Sequence, residues 1–159
     1  MPGNRRVGGG TRKKRMKEYF AEELNFWQTS RKSPDEWIEG AKKQIQALGG
    51  KIEVEAFGRD SQGRAAFVIG FSISGDAFKI IWPVVKSKAG NEKAARRQAA
   101  TSLYHYVKGI CLYSVVAGPR PAFFSHLMLP GGKIASEVVS DKITELVHLL
   151  PSLKLVEHK

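Results

Sequence analysis

The chain has 159 residues and a net charge of +11, with 26 Lys and Arg against 15 Asp and Glu. That length fits one domain with a tail, and 42% hydrophobic residues suffice for a core, which excludes a wholly disordered chain. A single cysteine, Cys111, excludes an intrachain disulfide framework and a Cys-rich zinc site; no apolar run reaches the roughly 20 residues that span a bilayer, and the basic N-terminus lacks the apolar centre of a signal peptide, so a cytoplasmic protein without membrane contact is expected.

Residues 1–11, with Gly8-Gly9-Gly10 and almost no apolar side chains, read as a flexible basic arm. From Arg12 to about Gln28, Met16, Phe20, Leu24 and Trp27 recur at helical spacing, so an N-terminal helix is expected within residues 12–30. Its cationic first turn opposes the helix dipole and predicts fraying there. A second helix begins at Ser33, an N-cap followed by Pro34, with Glu36 set to complete a capping box. Trp37, Ala41, Ile45 and Leu48 form its apolar face, and Gly49-Gly50 ends it.

The period then changes to two. Ile52, Val54 and Ala56 alternate with Lys51, Glu53 and Glu55 in a half-exposed strand, and residues 58–63 form a loop. Ala65 to Ile73 is the second strand, with Phe67, Ile69, Phe71 and Ile73 on one face. A tight turn at Ser74-Gly75-Asp76 leads to a third strand, Ala77 to Trp82, closed by Pro83. Such short turns imply an antiparallel meander. A long helix follows, capped by Asn91, with Ala95, Ala99, Leu103, Tyr106 and Ile110 inward and Gly118-Pro119 as its stop; Gly109 inside it invites a break. A turn at Pro130-Gly131-Gly132 precedes a last helix, Ser136 to Leu150, striped by Val139, Ile143, Leu146 and Leu150. The predicted fold is α+β: an α-β-β-β-α core over residues 33–118, with a helical extension over 119–159.

The charge is not spread evenly. The first twenty residues carry +6 and the stretch Lys79–Lys108 another +6, so the rest of the chain is slightly acidic at −1. Clustered cations are the footprint of a polyanion partner. Lys93, Arg96 and Arg97, spaced i, i+3, i+4, are expected to share one helix face opposite Ala95, Ala99 and Leu103. Lys86 and Lys88 precede that helix, whose N-terminal backbone N–H groups would add anion affinity. Tyr104 and Lys108 lie further along the basic side, with Tyr104 placed to stack on a base. The second cluster, Arg12, Lys13, Lys14 and Arg15 with Arg5 and Arg6, suits an arm that follows a backbone.

The stretch Lys86 to Leu103 resembles the end of a double-stranded-RNA-binding domain, with Lys93, Arg96, Ala99 and Ala100 in the matching places and the same element order over roughly Ser33 to Val107. The chain is also similar to short uncharacterised phage and mobile-element proteins through Arg96-Arg97, Val107-Lys108, Ala117-Gly118, Phe124, Leu127 and Leu129-Pro130-Gly131-Gly132-Lys133. Single-strand annealing proteins share the strand-strand-strand-helix core at fold level. These resemblances imply a nucleic-acid ligand held by its phosphates, either single-stranded DNA or duplex RNA.

No catalytic set emerges. His105, His126, His148 and His158 are scattered without metal-ligand spacing. Cys111 sits among apolar residues and reads as buried. Gly131-Gly132-Lys133 lacks the rest of a phosphate-binding loop. Glu53 and Glu55 read as the solvent side of one strand, and Phe67, Phe71, Phe78 and Trp82 as core. The expectation is a non-enzymatic nucleic-acid-binding protein with no cofactor or metal, compatible with a homo-oligomer. It prefers single-stranded DNA, with duplex RNA second. The rival from another class is a structural or assembly component of a phage or ribonucleoprotein complex.

Overall fold

The structure, a computed structural model, describes residues 17–138. Helix α1 runs from Pro34 to Ala47, and Ser33 caps it by accepting the Glu36 N–H at 3.3 Å. Only this half of the expected capping box forms; the Glu36 carboxylate makes no bond back to Ser33. Ile38, Ala41 and Ile45 are buried, while Trp37 and Leu48 pack at the margin. Gly50 is required after the helix because a Cβ there would sit 2.6 Å from Ile45 Cγ2 and 2.8 Å from the Ile45 carbonyl oxygen.

Strands β1 (Lys51–Arg59), β2 (Ala65–Ile73) and β3 (Asp76–Pro83) form an antiparallel sheet in that order. Ser74 and Gly75, both with positive φ, make the two-residue turn between β2 and β3; such a turn matches the natural strand twist. The inner face of β2 is the expected one: Phe67, Ile69, Phe71 and Ile73 are all buried. In β1 the expected alternation fails. A bulge between Ile52 and Val54 shifts the register, so Ile52 pairs with Phe71 but Glu55 pairs with Ile69 and Phe57 with Phe67. One extra residue inverts every later side chain. Glu53 therefore reaches Ser72 Oγ at 3.2 Å, while Glu55 lies on the opposite, helix-facing side and pairs with Lys42 of α1 at 2.6 Å. The two carboxylates do not share a solvent face.

Helix α2 spans Glu92–Ala117, capped by Asn91, whose side chain accepts the Ala94 N–H at 3.1 Å. It runs unbroken through Gly109 and ends at Gly118, with φ of 92°. Ala99, Ala100, Leu103, Val107 and Cys111 face inward, so the seam is shifted by about one residue from the expected row of Tyr106 and Ile110, which are only partly buried. α1 and α2 lie side by side on one face of the sheet and share one core with it. Beyond α2, the short helix α3 (Pro119–Ala122) turns the chain back, and Phe123 enters the core against Phe71 and Phe78. Leu127 then bridges to Phe78 at the β3 edge. Arg120 ties this end to the start of β3 through a two-pronged pair with Asp76 at 2.8 and 2.9 Å. Burial pushes the Cys111 thiol up to about 11, as befits a packed and unreactive cysteine.

The expected N-terminal helix is not formed where the chain is described. Residues 17–20 form no regular element, Ala21–Glu23 is a single 3-10 turn, and Phe26 and Gln28 have positive φ. Tertiary bonds override the helical spacing here: the Ala21 N–H donates to the Lys86 carbonyl at 2.8 Å, and Ala21 is fully buried. The arm (1–11) and the cations Arg12, Lys13, Lys14 and Arg15 lie outside the described residues. So does the last helix beyond its opening turn at 135–138.

Candidate nucleic-acid interface

The meander brings the β1–β2 loop, the end of β3 and the start of α2 to one end of the molecule, where the Val84 N–H donates to Ala65 at 2.7 Å. Lys86 and Lys88 are exposed in the loop before α2, and Lys93 is exposed on its first turn. Among the described residues, none of Lys86, Lys88, Lys93, Arg96, Arg97 and Lys108 is in an ion pair.

The expected shared face of Lys93, Arg96 and Arg97 is not what forms. Arg96 and Arg97 are half-buried and lean to opposite flanks of α2, because successive helix residues are rotated by about 100°. The Arg96 guanidinium lies over the Phe57 ring at 4.0 Å and near Phe67 at 5.7 Å. Arg97 reaches the Ser30 carbonyl at 3.5 Å on the other side. Each leaves its Nε buried without a hydrogen-bond partner among the described residues. Arg96 shares a cleft of about 210 Å³ with Asp35 and Glu55, which makes that cleft a poor seat for phosphate.

The backbone donors before α2 are already used. The Glu22 carboxylate accepts from the Ser87 hydroxyl, from the Lys88 N–H at 2.9 Å and from the Ala89 N–H at 3.3 Å. Ser87 Oγ in turn accepts the Asn91 N–H at 3.0 Å. The Ser87 hydrogen bond, aided by those two backbone donors, lowers the Glu22 pKa to about 2 against a smaller desolvation effect. A carboxylate of the same chain thus fills the loop's anion-binding donors, leaving the lysine side chains themselves to face solvent. This clip also sets the segment around Ala21 and Glu22 beside the loop. Glu23 pairs with Lys17 at 3.6 Å and feels Lys88 as well, so Lys17 and Lys88, far apart in sequence, act on one carboxylate.

Tyr104 is not among the cations. Its ring packs on Trp37 at 5.1 Å, and a Cβ on Gly40 would lie 3.1 Å from it, so it fills the seam between α1 and α2. Lys108 is exposed but lies fifteen residues beyond Lys93, about 22 Å along the helix. Arg31, Lys32, Arg59 and Arg64 were not singled out from the sequence. Arg59 and Arg64 stand at the β1–β2 loop, where Arg59 binds the Gly63 carbonyl at 2.8 Å and Arg64 pairs with Asp60 at 2.8 Å. Exposed Arg31 and Lys32 lie beside Ser30, and Lys32 sits over Trp37 at 4.9 Å. Phe57, 41% exposed under Arg96, was also missed, because only the bulge turns it toward the helices.

Compared with protein-family models, curated proteins and solved structures, the chain matches none. Among the described residues no helix is long and apolar enough to cross a membrane, and no three His, Cys, Asp or Glu side chains are grouped to hold a metal ion.

Proposed function

We propose that this chain is a non-enzymatic nucleic-acid-binding module that holds phosphates at the entry end of α2, with single-stranded DNA as its preferred ligand. The observation that carries the reading is that Lys86, Lys88 and Lys93 are exposed at the entry to α2 and in no ion pair among the described residues, with Lys17 and Lys88 both acting on Glu23 beside that entry. Lysine side chains without internal partners release counterions when they meet a polyanion, so binding should weaken steeply with salt and show little sequence preference. The resemblance to mobile-element and annealing proteins favours a single strand. Duplex RNA ranks second because the loop Gly58–Arg64 lacks the Gly-Pro-x-His element with which double-stranded-RNA-binding domains enter the minor groove.

A competition series across single- and double-stranded DNA and RNA at two salt concentrations tests the reading. Single-stranded DNA should bind most tightly; absence of binding to all four at low salt would end it. A second reading, an assembly component, is favoured by the apolar surface on the last turns of α2, where Leu112, Tyr113, Val115 and Val116 are each more than half exposed. Light scattering after size exclusion, with and without oligonucleotide, separates the two. A protein that assembles alone and ignores nucleic acid belongs to the second.

A further inference from the structure

At the sheet edge opposite Arg96, between β3 and α2, lies a second cleft of about 440 Å³. Volumes from about 300 to 1,000 Å³ are typical of small-ligand sites. Its wall is aromatic: Trp82 at the end of β3 and Tyr106 on α2 have ring centres 5.0 Å apart. Polar groups meet this wall from α2. Gln98, only 4% exposed, spends its amide N–H groups on the Asn25 carbonyl and on Ser102 Oγ, both at 2.9 Å. Its carbonyl oxygen remains an acceptor, and the Ser102 hydroxyl keeps a proton to donate. Arg64 contributes a cation to the lining, and Val85 places the cleft immediately beside Lys86.

We infer that this cleft receives one unstacked nucleobase of a strand whose phosphates lie along Lys86 and Lys88. The inference deepens the nucleic-acid reading and rests on it. A nucleobase presents two apolar faces and an edge of donors and acceptors, and the cleft offers an aromatic wall with an acceptor and a donor beside it. A base and its phosphate are separated by one sugar; here Val85 of the cleft lining directly precedes the exposed Lys86. A base inside a duplex is stacked and paired on all sides, so the cleft selects single strands.

The test compares, on the full chain, a mixed-sequence single-stranded oligonucleotide, the same backbone made abasic, and the corresponding duplex. The intact strand should bind about tenfold more tightly than the abasic one, as expected for a stacked base, and should quench tryptophan emission where the abasic strand does not. Trp82→Ala should erase the difference between the intact and abasic strands while salt-dependent binding persists. Because Trp82 also touches the core, Ser102→Leu, which fills the cleft without removing a packed ring, should do the same. If the wild-type protein binds both strands equally, or the duplex as tightly as the intact strand, the cleft takes no base and the inference fails alone. If it binds none of them at low salt, the nucleic-acid reading fails with it.

Discussion

The two halves of α2 carry opposite surfaces on one continuous helix. Over the first half, alanines and Leu103 are sealed against the sheet and α1, and the exposed positions there are the charged Glu92 and Lys93, with Arg96 and Arg97 half-buried. Over the last turns, Leu112, Val115 and Val116 are 70, 72 and 82% exposed. Length explains the contrast. A helix of 26 residues is about 39 Å long, whereas the 14 residues of α1 reach about 21 Å, so α1 can flank only about half of it. The entry half is built into the domain and presents charge. The exit half overhangs its neighbour and presents apolar surface, which suits a protein contact better than a phosphate contact.

The largest expected effect tests that contrast through stability. Leu103→Ala removes a fully buried side chain and should cost about 2–5 kcal/mol in urea unfolding. Val116→Ala should stay within about 0.5 kcal/mol; a cost near that of Leu103→Ala would mean the exit half is covered after all. Next is binding. Replacing Lys86, Lys88 and Lys93 together with Ala should weaken oligonucleotide affinity by about 10- to 100-fold and flatten the log–log salt slope by about 2. An unchanged slope at low salt would displace the interface from this end.

A smaller effect concerns the clip. Glu22 has a folded pKa of about 2, depressed from 4.5, so its contribution to stability is present above pH 4.5 and is lost as pH falls toward 2. Glu22→Gln should therefore melt lower than wild type at neutral pH and converge with it in acid. Parallel melting curves at every pH would show that the clip carries no charge-dependent stability. Smallest of all, Lys108→Ala should change affinity by less than about twofold, since it lies about 22 Å along the helix from Lys93 and outside the phosphate contacts at the entry end. A loss equal to that of the triple variant would extend the binding track along the whole helix.

Local chemistry made much of the fold legible. Ser33-Pro34 and Asn91 announce helix starts through the bonds their own side chains make within a turn. Likewise, the alternating run Phe67 to Ile73 and the Ser74-Gly75 turn declare a hairpin. Of the candidate site, Lys86, Lys88 and Lys93 were legible as a cluster because they are close in sequence. Arg96 and Arg97 were legible as cations but not as diverging ones, since what each leans on belongs to other elements, Phe57 for one and Ser30 for the other.

The sequence by itself determined where α1, β2, β3 and α2 lie and that the positive charge gathers in two stretches, because caps, turns, period and charge depend on neighbours within a few residues. Only the tertiary structure decided that a bulge parts Glu53 from Glu55, that Tyr104 fills a helix seam, and that Glu22 clips the N-terminal segment to the loop before α2. Each of these depends on a partner brought close by folding, and burial and hydrogen bonding to such partners outweigh the weak local preference of a short segment.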